Sequence, residues 1–102
     1  MPADSDIQVW LDTAERVRPG VVVPYVASAQ AQELRYRIRA VQEDEGGRSV
    51  IGQAGAVQLA ENTPAALSRL SLGIRPGAAC TIEITLTGKE LKTLRYVFEC
   101  PS

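Results

Sequence analysis

The residues of this 102-residue sequence that could carry chemistry are two cysteines, a run of alternating arginines and one acidic cluster. Histidine is absent, which removes the usual general base at neutral pH, the commonest metal ligand and every histidine-dependent catalytic triad. The serines lack a nucleophile-elbow motif and have no histidine to activate them. The sequence therefore predicts no catalytic residues, and we expect no enzymatic activity.

The cysteines, Cys80 and Cys100, are too few to complete a four-ligand zinc site without histidine or further thiols. Each shares the alternation of neighbouring apolar residues, so both are predicted to point to the core side of one hairpin. A register that pairs Leu86 with Leu94 also pairs Cys80 with Cys100, within the reach of a disulfide. We predict a structural disulfide that contributes about 3 kcal/mol. The alternative, a redox-active pair, lacks the Cys-x-x-Cys spacing.

Three arginines, Arg35, Arg37 and Arg39, alternate with apolar residues and are predicted to share the exposed side of one strand. We call them the arginine stripe. Two interpretations remain open for it. The simpler one is cross-strand pairing with carboxylates, for which the candidates are Glu43, Glu83 and Glu99. The other is a surface that recognises anions, because arginine binds carboxylates bidentately and stacks on amide planes.

The acidic cluster, Glu43 to Glu45, precedes Gly46 and Gly47 and lacks the ligand spacing of a calcium loop. We expect it to solvate a turn and to bind no metal. The glycines match neither a phosphate-binding loop nor a dinucleotide fingerprint, so no cofactor is implied. Trp10 lies on the register opposite the apolar residues of its segment. It either covers a neighbouring strand or forms a binding hot spot.

Overall charge and hydropathy exclude several classes of protein. The net charge of −1 and the isoelectric point near 5.4 do not favour binding to nucleic acid or to an anionic membrane. No apolar run approaches the roughly 18 to 20 residues that span a bilayer, so no membrane insertion is expected. The first six residues lack the basic and apolar regions of a secretory signal, and we expect none within these 102 residues.

Apolar residues recur at period two along most of the chain, which predicts strands. Turn-forming residues divide the chain into about seven of them, near 7–16, 20–29, 33–42, 48–60, 65–72, 79–87 and 91–99. This pattern predicts an all-β, immunoglobulin-like antiparallel β-sandwich, with residues 1–102 as a single domain. Pro24 predicts an edge position or a bulge in the second strand, and Gly52 and Gly55 suggest a bend in the fourth.

The second half of the chain resembles the CsgH-type curli assembly inhibitors of bacteria. The resemblance runs from about Leu34 to Pro101, and its motifs are SVIGQAGAVQL at 49–59, LSRLSL at 67–72, CTIEITL at 80–86 and the closing Cys100 and Pro101. It implies a small immunoglobulin-like domain that works in the periplasm and keeps the curli major subunit from forming amyloid. The enteric CsgC branch carries a Cys-x-Cys pair that this chain lacks, so no redox role carries over.

If the resemblance holds, we expect a monomer that contacts an amyloidogenic client weakly, through the positive arginine stripe. Such a protein must not offer a sticky edge, and Pro24, Glu83, Lys92 and Arg95 are predicted gatekeepers besides the stripe. Trp10 and the cations Lys89, Lys92 and Arg95 are the next candidate contacts. The alternative function is an adhesion or structural module of the cell surface or a pilus, which binds a partner by strand addition.

Overall fold

The computed structural model describes residues 7–13, 21–71, 77–89 and 92–100, and every regular element in these ranges is a β-strand. No helix capable of crossing a bilayer occurs in this part of the chain. The strands are β1 (Ile7–Thr13), β2 (Val21–Ser28), β3 (Gln32–Asp44), β4 (Gly47–Leu59), β5 (Ala65–Ala66), β6 (Leu70–Ser71), β7 (Ala79–Thr87) and β8 (Leu94–Glu99).

The strands form two antiparallel sheets. The first has the order β1, β2, β5, with β6 also paired to β2, and the second has the order β4, β3, β7, β8. The crossover that places β7 beside β3 is that of the immunoglobulin sandwich, in which the chain passes between sheets rather than along one. The predicted all-β, immunoglobulin-like fold is confirmed.

The core lies between the sheets and consists of the inward residues of the alternating strands. The buried residues, which both sheets supply, are Ile7, Val22, Val26, Leu34, Ile38, Ala40, Leu59, Leu67, Leu70, Ile82, Ile84 and Leu86. Val9, Leu11, Leu94, Tyr96 and Phe98 pack against them, half-buried. Period two therefore identified the inward faces of β1, β3, β7 and β8 correctly, which leaves the intervening residues on the outer faces.

The predicted strand 65–72 is wrong as a single element, because β5 and β6 are separated at residues 67 to 69. The break lies beside Pro24, which has no N–H to offer to a ladder. The N–H of Leu67 donates to the carbonyl oxygen of Pro24 (2.9 Å), and the Leu67 carbonyl accepts a bond from the Tyr36 hydroxyl (2.8 Å). Of the two positions expected for Pro24, the edge is wrong, because β2 lies between β1 and the pair β5 and β6. The pairing register does shift by one residue beside Pro24, from Tyr25 opposite Ala66 to Val22 opposite Leu70, as at a bulge whose extra residue lies on the facing strand.

Gly52 and Gly55, which suggest a bend in the fourth strand, do not interrupt its pairing. β4 pairs with β3 over its whole length in one unbroken register. Gly55 instead leaves room for an aromatic ring: it lies opposite Tyr36, and a Cβ atom there would come within 2.8 Å of the tyrosine hydroxyl oxygen and 3.0 Å of Cζ. The Tyr36 ring thus lies over Gly55, and its hydroxyl donates to the carbonyl oxygen of Leu67, between β5 and β6 of the other sheet.

Substitution of Gly55 by alanine should therefore destabilise the fold. The added methyl group overlaps the Tyr36 ring, and forcing that ring aside typically costs about 1 to 3 kcal/mol. Gly52→Ala is the matched control, since a Cβ at Gly52 meets only the Ile38 carbonyl oxygen at 4.0 Å. Chemical denaturation of both variants measures the effect. Equal stability of the two variants would show that Gly55 has no such role.

Candidate functional site

The arginine stripe lies along the middle of β3, on the outer face of the second sheet, and all three side chains are exposed. Each arginine has one cross-strand neighbour on β4 and one on β7. The β4 neighbours of Arg35, Arg37 and Arg39 are Ala56, Ala54 and Gly52, and the β7 neighbours are Thr87, Thr85 and Glu83. The side chains on β4 are too small to cover the guanidinium groups, so the stripe is open toward that edge of the sheet.

Two of the carboxylates that could have neutralised the stripe belong to other ion pairs. Glu83 lies directly opposite Arg39, but its Oε2 accepts a bond from Arg95 Nε (2.8 Å) and also pairs with the second terminal nitrogen of Arg95. Glu43 pairs with Arg48 at 3.8 Å.

The third candidate, Glu99, is on β8 opposite Thr81, two strands from the stripe. Among the described residues, no ion pair or hydrogen bond joins a side chain to the stripe. Its expected pairing with Glu43, Glu83 or Glu99 is therefore absent, and three guanidinium groups face solvent together.

Two surface depressions lie along the arginine stripe, and the arginines line both. One, of about 320 Å³, is lined by Arg37, Arg39, Val50, Gly52 and Ala54 among others. The second, of about 710 Å³, reaches from Ala54 and Ala56 on β4 across Arg35 and Arg37 to β7, where Glu83, Thr85 and Thr87 line it. Both are open on the surface rather than enclosed, so this face suits an extended chain better than a small molecule.

The cysteines stand opposite one another at the end of the last hairpin. Cys80 and Cys100 form a disulfide with a Cα to Cα distance of 5.3 Å, and the Cys100 N–H donates to the Cys80 carbonyl at 3.1 Å. The predicted register of this hairpin is confirmed, with Leu86 opposite Leu94 and the intervening pairs in step. The cysteine pair lies on the inward face, where Cys100 packs against the core, and so it is remote from the outward arginines.

The other candidate contacts lie away from the stripe. Trp10 stacks on Tyr25 of the neighbouring strand, with ring centroids 5.8 Å apart and planes 9° apart, so it covers β2 as its structural interpretation predicts. Lys89 and Lys92 are exposed near the turn between β7 and β8. Arg95 is held by Glu83.

The acidic cluster forms the turn between β3 and β4. Asp44 Oδ1 accepts the Gly46 N–H at 2.8 Å, which closes a local turn of the kind that aspartate favours. Within the described ranges, histidine, cysteine and acidic residues form no group of three that could hold a metal ion.

Of the predicted gatekeepers, Pro24, Glu83 and the arginine stripe do not lie on an edge, and the stripe is on β3, between β4 and β7. Pro24 is on β2, in the middle of its sheet, and Glu83 is on β7, between β3 and β8. Arg95 is on the edge strand β8, and Lys92 precedes that strand. The other edge of the same sheet, β4, carries neither a proline nor a charge between Ser49 and Ala60. Sequence reasoning missed this open edge, although an uncharged run of strand residues was the available signal.

Fold and face together define an immunoglobulin-like β-sandwich that presents the arginine stripe on the outer face of one sheet, with no ion-pair partner among the described residues. A family model described as "Thin aggregative fimbriae synthesis protein" matches residues 2–95. The chain belongs to this CsgC family of curli proteins.

Individual relatives agree with this assignment. The curli assembly protein CsgC of Escherichia coli K12 is 29% identical over 80 residues, which span 78% of this chain and 73% of that protein. The structure of E. coli CsgC superimposes with a TM-score of 0.75 at 26% identity, covering 90% of this chain and 97% of that one. The solution structure of R. palustris CsgH has a TM-score of 0.69 at 16% identity, with 91% of each chain covered, and shows a shared fold.

Proposed function

We propose that this protein is a periplasmic, non-catalytic inhibitor that prevents premature amyloid polymerisation of the curli major subunit. Membership of a curli family supports a role in curli assembly. The observation that carries the proposal is the arginine stripe: three exposed guanidinium groups on one sheet face, without a carboxylate partner among the described residues. A surface of this kind attracts acidic and amide-rich chains weakly and at long range.

The mechanism requires contact rather than chemistry. Arginine can engage a client carboxylate with two parallel N–H bonds, and the flat face brings three such groups to one extended segment. Weak contact suffices if the protein acts as a monomer on early oligomers, because few of these are present at any time. The residues that carry this function are then Arg35, Arg37 and Arg39, while the disulfide maintains the sandwich that displays them.

Fibre growth of purified curli subunit, followed by thioflavin fluorescence, tests the proposal. Trace amounts of this protein, far below the subunit concentration, should lengthen the lag phase. An unrelated immunoglobulin-like domain of similar size and charge is the control. Unchanged growth at substoichiometric dose would refute an inhibitor of early assembly.

The second candidate function is an adhesion or structural module that binds a partner by strand addition. The uncharged β4 edge favours it. Such a module should act on its partner at near-equal stoichiometry, so the dose dependence in the same assay distinguishes the two functions.

A further inference from the structure

The hydrogen-bond pattern of the second sheet identifies which backbone groups of β4 point away from β3, toward the side where no described strand lies. The bond from the Cys100 N–H to the Cys80 carbonyl marks these two residues as a hydrogen-bonded pair. Such pairs alternate along a ladder, and a residue bonded to one neighbouring strand turns its N–H and C=O away from the other. The even-numbered residues of β7 therefore bond to β8 and its odd-numbered residues bond to β3. In β3, the odd-numbered residues bond to β7 and the even-numbered residues bond to β4. The odd-numbered residues of β4 then bond to β3, and the backbone groups that point to the open edge belong to residues 48, 50, 52, 54, 56 and 58.

The turn between β3 and β4 gives the same assignment independently. Asp44 faces Gly47 across a two-residue turn, and residues that flank such a turn form a hydrogen-bonded pair. The odd-numbered residues of β4 therefore bond to β3. The even-numbered residues present a row of N–H and C=O groups that no described strand pairs with.

This edge differs from the other long edges in charge. β4 has no charged residue from Ser49 to its end at Leu59, whereas β1 carries Asp12 and β8 carries Arg95 and Glu99. Charged residues on an edge discourage strand addition, and an uncharged straight edge permits it. β4 also keeps one register over thirteen residues, which gives an incoming strand a long template without a bulge.

The open edge and the arginine stripe belong to one surface. Residues 52, 54 and 56, whose backbone groups point to the edge, lie beside the stripe on the same outer face. An added strand would lie about 4.8 Å beyond β4. Its residues opposite Gly52, Ala54 and Ala56 would project their side chains on the outer face, beside the two depressions that these β4 residues and the arginine stripe line together.

We propose that the β4 edge binds one extended, acidic segment of the client as an added strand. Its backbone bonds to the even-numbered residues of β4, while alternate carboxylates reach over Gly52, Ala54 and Ala56 to the arginine stripe. The inference rests on the proposed function and specifies how the client is held. Main-chain bonds supply sequence-tolerant affinity, and the stripe selects acidic segments.

A proline at position 54 tests the edge. Ala54→Pro removes one edge-facing N–H and no bond to β3, and proline is tolerated on edge strands in this orientation. We expect the inhibitory dose to rise about tenfold or more. Val97→Pro is the matched control, because Val97 is exposed on the opposite edge strand, β8, with its N–H turned from β7 in the same way. Equal activity of the two variants would overturn the proposal.

Amide hydrogen exchange on the unaltered protein decides the matter even if Ala54→Pro fails to fold. The probe is a short synthetic peptide that alternates glutamate with threonine, and a lysine and threonine peptide is its control. We expect the glutamate peptide alone to slow exchange at Val50, Gly52, Ala54 and Ala56. Protection confined to other residues, or absent, would refute strand addition at β4. Because this measurement needs no curli subunit, its failure is separable from failure of the thioflavin assay.

Discussion

Replacement of Arg35, Arg37 and Arg39 by glutamate should abolish the delay of curli fibre growth while the β-sandwich stays folded. The three side chains are exposed and make no ion pair within the described residues, so the fold loses little when they change. An acidic client, in contrast, would meet three negative charges where it had met three positive ones. Like charges across an interface cost several kcal/mol, which is enough to remove weak binding.

Two matched variants test whether the position of the arginines and the geometry of their side chains matter, apart from the net charge of the protein. Arg69, Lys89 and Lys92 are exposed elsewhere on the protein, and their replacement by glutamate changes the net charge by the same amount. This variant should delay fibre growth as the native protein does. Replacement of the stripe by three lysines should give an intermediate result, because lysine keeps the charge but loses the bidentate geometry.

Salt gives a further measurement on the native protein. Exposed charges are screened over about 8 to 10 Å at physiological ionic strength, so added salt should weaken inhibition. A triple-glutamate protein with native circular dichroism that still delays fibre growth at the native dose would exclude the stripe. Loss of activity in the Arg69, Lys89 and Lys92 variant alone would move the contact toward the turn between β7 and β8.

The alternation of side chains along each strand predicts which residues face the core and which face solvent. Period two placed the arginines outward and the aliphatic residues inward, because successive side chains of a strand must point to opposite faces. The same rule placed Cys80 and Cys100 on one face, and the reach of a disulfide then selected the register that pairs Leu86 with Leu94 over a slip by two residues. These features depend on residues close in sequence, so the sequence alone could predict them.

Features that depend on distant contacts could not be predicted in this way. Gly55 looks like a strand breaker until Tyr36 is placed opposite it, and the gap between β5 and β6 becomes understandable only beside Pro24. The ion-pair partners of Glu83 and Glu43 could not be predicted either, because a carboxylate within a sheet has neighbours on two adjacent strands. Strand order, which alternation does not determine, also decided that β4 forms an edge while β2 does not.

Loss of the disulfide should have the largest effect on stability and little effect on inhibition. Cys80 and Cys100 are 20 residues apart, and closing a loop of this length stabilises a domain by about 3 kcal/mol through the unfolded chain. In a domain of this size, that corresponds to a fall in Tm of roughly 12 to 24 °C for the double variant Cys80→Ala, Cys100→Ala. The native protein in reductant should melt at nearly the same temperature as this variant.

A neighbouring cross-strand pair provides the control for this measurement. Thr81 and Glu99 face each other one position along the same hairpin, and both are exposed, so their replacement by alanine should change stability by about 0.5 kcal/mol or less. The cysteine variant should still delay fibre growth well below its own Tm, because the cysteines lie on the face opposite the arginine stripe. An unchanged Tm, or two reactive thiols in denatured protein from an oxidising compartment, would contradict a structural disulfide.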